Sequence, residues 1–168
     1  LSYRMGTFIH RLYIIPAVLL LFTYSHLALA DNEAHWGTSK TSHAEYRPQK
    51  VVYDVTTGDV KAMAHVLDRA SHLSKITGAD PFEQSIVLVL HGSSIKLFAI
   101  KNTAKYKAML NRAQSLVQSE AISIKMCQLS AEGQGFQPED IHGFVKMVPM
   151  GDAEIVRLQY EEGHAYMQ

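Results

Sequence analysis

"SIVLVL", residues 85–90, is apolar at five successive positions after its opening serine. A strand with one wet face alternates apolar and polar residues, whereas an unbroken apolar run of this kind is expected of a parallel strand covered on both faces. The flanking sequence has the matching rhythm. Upstream, "KVVYDV" (50–55) is a short β-branched run ended by "TTGD". It is followed by "VKAMAHVLDRASHLSKITG", in which Val60, Met63, Ala64, Leu67 and Ala70 recur at helical spacing, with Gly78 just beyond its end. Downstream, "TAKYKAMLNRAQSLVQSE" aligns Tyr106, Met109, Leu110, Ala113, Leu116 and Val117 along one helical stripe. "AISIKM" (121–126) then reads as a third strand and "GFVKMV" (143–148) as a fourth. "GDAEIVRLQYEEG" makes a last helix, with Asp152 placed to cap it and Gly163 to stop it, and "HAYMQ" adds a short edge strand.

Strands that alternate with helices in this way imply βαβ crossovers and a parallel sheet with helices on both faces. The expected architecture is a single doubly wound α/β domain with three layers, α/β/α, around a mostly parallel sheet of four or five strands. It covers residues 49–168. The Met side chains at 63 and 109 fall on apolar faces and belong to the core. The sequence contains no internal repeat and no low-complexity segment.

Ahead of the domain lie two segments of different character. Residues 1–30 contain Arg4 and Arg11, no acid, a mostly apolar stretch from Leu12 to Leu29 and an Ala28-Leu29-Ala30 ending. Those are the parts of a secretory signal peptide. An uncleaved anchor would need about 20 predominantly apolar residues, and Thr23 to His26 dilute the run. Cleavage after Ala30, export to the periplasm and no membrane attachment afterwards are the expectation, with Met5 as an alternative start. Residues 31–48 are polar and aperiodic, a flexible lead-in. Removing residues 1–30 leaves 14 basic against 16 acidic side chains, a net charge of −2. A nearly neutral domain with no basic block lacks the electrostatic footprint of a nucleic-acid binder.

The chain has one cysteine, Cys127, so no internal disulfide supports the fold and burial of the core must do so. In open parallel sheets ligands bind beyond the carboxyl ends of the strands. The residues at those ends are Asp54, Thr56 and Thr57 after the first strand, and His91, Gly92 and Ser93 after the second. Cys127 and Gln128 follow the third, and Pro149 to Gly151 the fourth. Polar and reactive side chains thus collect on one rim. Cys127 also precedes a helix start, where backbone N–H groups favour a thiolate, and a nearby imidazolium at His91 would favour it further. Asp54, Thr57, Gly92, Ser93, Gln128 and Gly151 are the candidate binding residues around this pair. The competing readings are a His91 that only bonds its turn and a Cys127 that only packs, since free cysteines are often buried.

Two other constellations carry less. Ser93, His91 and Asp54 could compose a hydrolytic triad, but nothing here has the G-x-S-x-G elbow. His65, Asp68 and His72 stack on one stripe of the first helix, yet that stripe lies opposite the apolar one and solvent exposure explains it without a metal. No metal and no cofactor are called for. The segment "IHGFVKMVPM" crowds Ile141, Phe144, Val145, Met147, Val148 and Met150 together, either as a surface for self-association or as a strand packed inside one subunit.

The order "TGD" after strand one, "VLVLHGSSIKLF" at strand two, "IKMCQ" at strand three and the close "VPMGDAEIVRLQYEEGHAYM" resembles the DsrE/DsrF-like (YchN-like) proteins over residues 50–168. The resemblance implies a compact α/β/α fold assembled as trimers or hexamers. It also implies a cysteine after strand three, here Cys127, that carries sulfur as a persulfide. The sulfur carriers of that family work in the cytoplasm, whereas this chain reads as exported. Its expected partners are copies of itself and a sulfur donor or acceptor, protein or small molecule. The expectation is a periplasmic sulfur-handling protein with Cys127 as nucleophile and His91 as its electrostatic or proton-transfer partner. The alternative is a non-catalytic oligomeric module that binds a small ligand and has a passive thiol.

Overall fold

Strand β2 (Ser85–Leu90) is the centre of the molecule, and Ile86 to Leu90 are buried on both sides. In the computed structural model, which describes residues 36–168, the chain divides into residues 1–42 and residues 43–168. The expected signal segment, residues 1–30, lies outside the described residues. Residues 36–42 of the first unit are exposed and have no regular structure, and the same is true of residues 43–49 in the second.

The second unit runs β1 (Lys50–Val55), α1 (Val60–Ile76), β2, two 3-10 turns (Gly92–Phe98 and Ile100–Asn102) and α2 (Thr103–Val117). It continues with β3 (Ile122–Cys127), α3 (Gln128–Glu132), a 3-10 turn (Pro138–Asp140), β4 (Lys146–Val148), α4 (Gly151–Glu162) and β5 (Ala165–Met167). The five strands form one sheet in the order β4-β3-β2-β1-β5, and every pairing is parallel. Among the described residues no helix is long and apolar enough to cross a membrane.

The continuous apolar run of β2 follows from this position. Ile86, Leu88 and Leu90 face a core made with Met63, Leu67 and Ala70 of α1 and Met109, Leu110 and Ala113 of α2. Val87 and Val89 face the other way, and with Val52 of β1 they pack on Ile155 and Leu158 of α4. Three layers result: α1 and α2, the sheet, and α4. Emptying one of these positions, for example Leu88→Ala, would cost about 2–5 kcal/mol in lost burial and residual cavity.

Local chemistry sets the helix ends. Asp59 caps α1 by accepting the Ala62 N–H at 2.8 Å. Gly163 stops α4 in the left-handed conformation (φ 74°), which costs a residue without Cβ nothing. Immediately beyond it His164 is buried. The Leu158 carbonyl can only accept, so the 3.1 Å contact is a donation from Nδ1–H, and Nε2 accepts from the Ser85 hydroxyl at 3.0 Å. Burial pushes the imidazole below its ordinary pKa, and the neutral ring ties the entry of β5 to the start of β2.

Three sequence expectations are corrected. Asp152 does not cap α4: the cap position is Met150, which uses no side-chain bond, and Asp152 sits in the first turn, where the helix dipole favours a carboxylate. The fourth strand is Lys146–Val148 only. Residues 141–145 are drawn off the sheet onto the first 3-10 turn, where Ile141 bridges Ala99 and the His142 N–H donates to the Phe98 carbonyl at 3.2 Å. Finally, β3 is shifted by one residue, to Ile122–Cys127, and so includes Cys127.

Candidate functional site

Pairing register decides which rim residues share a face. Asp54 pairs with Val89 and Val89 with Lys125, and all three point towards the α4 layer. Two residues beyond Val89 and Lys125 come His91 and Cys127, so alternation puts Asp54, His91 and Cys127 on the α4 side of the sheet's carboxyl edge.

Cys127 is both the last residue of β3 and the N-cap of α3, and its Sγ accepts the Ser130 N–H at 3.4 Å. It is 6% exposed. The lid over it is the first residue of α4: a Cβ on Gly151 would lie 3.1 Å from Cys127 Cβ. The Leu129 N–H donates to the Pro149 carbonyl at 3.4 Å, which holds the turn after β4 against the same short helix.

The turn after β2 is fastened to α3. The Gly92 N–H donates to Ser130 Oγ at 2.8 Å. Gln134 Nε2 bridges the Gly92 carbonyl at 2.8 Å and the Ser130 carbonyl at 3.0 Å. Ser130 therefore serves both neighbours, its N–H the thiol and its hydroxyl the Gly92 turn. Ser130 and Gln134 escape detection in the sequence because small polar residues in "SAEGQGF" have no periodic signature of function.

His91 turns towards β1. Its Nε2 meets Asp54 Oδ1, and Asp54 Oδ2 accepts the Tyr166 hydroxyl of β5 at 2.8 Å. Gln168 Nε2 donates to the same phenol oxygen at 3.2 Å. Bonding to Asp54 holds the Tyr166 proton and raises its pKa. The His91 and Asp54 side chains are each 19% exposed. β1 and β3 flank β2 on opposite sides, so the imidazole is engaged on the side away from the thiol. Among the described residues no hydrogen bond joins it to Cys127. Nor does the ring bond its own turn; the backbone does that, through the Ser94 N–H and hydroxyl on the His91 carbonyl at 3.3 and 2.8 Å.

The remaining sequence candidates are dispersed. Thr57 Oγ1 accepts the Asp59 N–H at 3.2 Å and serves the start of α1. Ser93 is exposed and packs on Gly58. Gln128 donates to Glu132 at 2.7 Å along α3. Asp68 pairs with Arg112 of α2, and among the described residues no group of three His, Cys, Asp or Glu side chains is placed to hold a metal.

Below the rim on the same face, Lys125 pairs with Glu154 of α4, which is 12% exposed and also accepts two bonds from Arg157, at 2.9 and 2.8 Å. Those bonds, Arg157 first, lower the Glu154 carboxyl to about 2 against the cost of burial. The network fixes α4, and with it Gly151, over the end of β3.

No protein-family model matches the chain, and no curated protein does. Among solved structures, the fold is similar to that of MTH1491 from Methanobacterium thermoautotrophicum, described as a protein of unknown function. The TM-score is 0.58 and the identity 18%, over 71% of this chain and 97% of that one. It is also similar to that of BT1422 from Bacteroides thetaiotaomicron, a conserved protein of unknown function. There the TM-score is 0.53 and the identity 22%, over 71% and 93% of the two chains. At these identities the likeness is one of fold, a three-layer α/β/α domain, and the site must be argued from its own residues.

Proposed function

We propose that the domain handles sulfur in the periplasm, with Cys127 accepting and passing sulfane sulfur as a persulfide. The reading joins the resemblance of residues 50–168 to the DsrE/DsrF-like proteins, the signal-like pattern of residues 1–30 and one observation that carries it: the Cys127 sulfur caps α3 by accepting a backbone N–H. The Ser130 N–H is a donor already aimed at this sulfur, and the thiolate is the nucleophilic form of a cysteine. It attacks the outer sulfur of a persulfide R–S–SH; the S–S bond of the donor breaks, a new S–S bond forms at Cys127, and R–S⁻ leaves. No net oxidation occurs. His91, on the same rim though joined to Cys127 by no hydrogen bond among the described residues, is its electrostatic or proton-transfer partner.

Mass spectrometry after exposure to polysulfide tests this. A gain of about 32 Da, one sulfur atom, localised to Cys127 is the expected result. Failure of that adduct in protein whose thiol is shown to alkylate would remove sulfur carriage. The low exposure of Cys127 favours a second reading, a small-ligand-binding module with a passive thiol, and a thiol that does not alkylate in the folded state would select it.

Assembly as a trimer or hexamer belongs to the same reading. Ile141, Val145 and Val148 are buried within one chain, and Phe144 and Met147 pack against its core. The apolar surface left near the rim is Leu129 and Met150, with Val156 and Tyr160 along α4.

A further inference from the structure

The chain Gln168–Tyr166–Asp54–His91 can be resolved by counting protons. The Gln168 amide donates to Tyr166 Oη, so the phenol's own proton is directed to Asp54 Oδ2. An ionised carboxylate has no proton to give, so the ring nitrogen facing Oδ1 must be the donor. In the neutral imidazole this puts the proton on Nε2 and the lone pair on Nδ1, and among the described residues Nδ1 has no hydrogen-bond partner. Buried or half-buried carboxylates orient imidazoles in this way elsewhere in acid–base chemistry.

We propose that Asp54 and Tyr166 are positioning residues that hold His91 as its Nε2–H tautomer and so make Nδ1 the proton acceptor of the rim. The substrate assignment rests on the sulfur reading of Cys127; the tautomer does not. The step balances as Cys127–SH plus R–S–SH giving Cys127–S–SH plus R–SH. The proton passes from Cys127 to His91 Nδ1 through water, since no hydrogen bond joins the two side chains among the described residues, and returns to the departing R–S⁻, while one S–S bond replaces another. Tyr166 acts from β5 without approaching the sulfur, by committing Asp54 to the role of acceptor.

The test uses the full chain labelled with ¹⁵N-histidine, His91 being assigned by loss of its ring signals in His91→Gln. The expected spectrum shows the proton on Nε2. Asp54→Asn presents an amide N–H to that nitrogen and should move the proton to Nδ1. It should slow persulfide formation by about 100-fold or more, with unchanged circular dichroism. Asp54→Glu should restore part of both. Tyr166→Phe, at a position 42% exposed where folding is not at risk, should weaken the tautomer preference and slow the reaction by about tenfold. A wild-type ring protonated at Nδ1, or a tautomer indifferent to both substitutions, overturns the inference. So does persulfide formation at the wild-type rate in a variant whose tautomer has moved. If Cys127 takes up no sulfur while the ring behaves as expected, the sulfur reading falls and the positioning of His91 stands.

Discussion

Gly151 and Cys127 meet in a close contact: a Cβ on Gly151 would lie 3.1 Å from Cys127 Cβ, tight enough that one side must give a little, and 3.8 Å from its Sγ. One wall beside the sulfur is therefore the first residue of a helix that is remote in sequence. Gly151→Ala should fill that space. Its methyl group gains helix propensity but crowds a closed contact, and a net loss of about 1 kcal/mol is expected. Thiol alkylation should slow severalfold. Thermal unfolding and the rate with a small alkylator measure both; an unchanged rate would show that reagents approach from another side.

Replacement of the thiol itself separates its structural and chemical roles. Cys127→Ser keeps an acceptor for the Ser130 N–H, and serine is a strong N-cap, so stability should stay within about 1 kcal/mol of the parent while the persulfide adduct disappears. Cys127→Ala loses the cap as well and should be less stable than Cys127→Ser by about 0.5–2 kcal/mol. Equal stability of the two variants, in urea melts, would show that the Ser130 N–H needs no partner at Cys127.

Acid should loosen α4 through Glu154. Its folded-state carboxyl is lowered to about 2 by Arg157 and Lys125, and in the unfolded chain it returns to the ordinary glutamate range. Folding is thus favoured by the ionised form. The stabilisation is complete above the ordinary value and is lost as pH falls from there through about 2. Glu154→Gln should cost about 1–3 kcal/mol at neutral pH and flatten this part of the stability–pH curve. Parallel curves for parent and variant would contradict the assignment.

On the reading proposed above, self-association should give a trimer or a hexamer of two trimers, the assembly that the resemblance to the DsrE/DsrF-like proteins implies and one with closed symmetry. Leu129→Lys and Val156→Lys would each put a charge on apolar surface that a single chain leaves open. At least one should reduce the mass found by light scattering without altering the melt of the isolated subunit. A monomeric mass for the parent protein at micromolar concentration would exclude assembly.

Most of the sheet is readable from local pattern. β1 and β2 occupy the stretches expected of them, because β-branched and unbroken apolar runs report burial directly. Where the pattern misleads, tertiary contacts compete with it. "GFVKMV" has strand composition, but the Phe98 carbonyl and Ala99 capture its neighbours first. The rim was legible as a set of positions, since strand ends follow from strand assignments. The partners were not: alternation places His91 and Cys127 on one face but cannot say that the imidazole turns to Asp54. Tyr166 lies 112 residues from Asp54, and no window of sequence spans that bond.

β5 has a consequence in time as well as space. Asp54, His91 and Cys127 are all synthesised well before the three residues of β5, and the phenol that completes their hydrogen-bond chain arrives with that strand. A growing chain, or one cut short of Ala165, would carry the thiol and the His91–Asp54 pair without the phenol that bonds the other carboxylate oxygen. The last bond of the rim's chain therefore depends on the docking of a three-residue strand that pairs with β1 alone at the edge of the sheet.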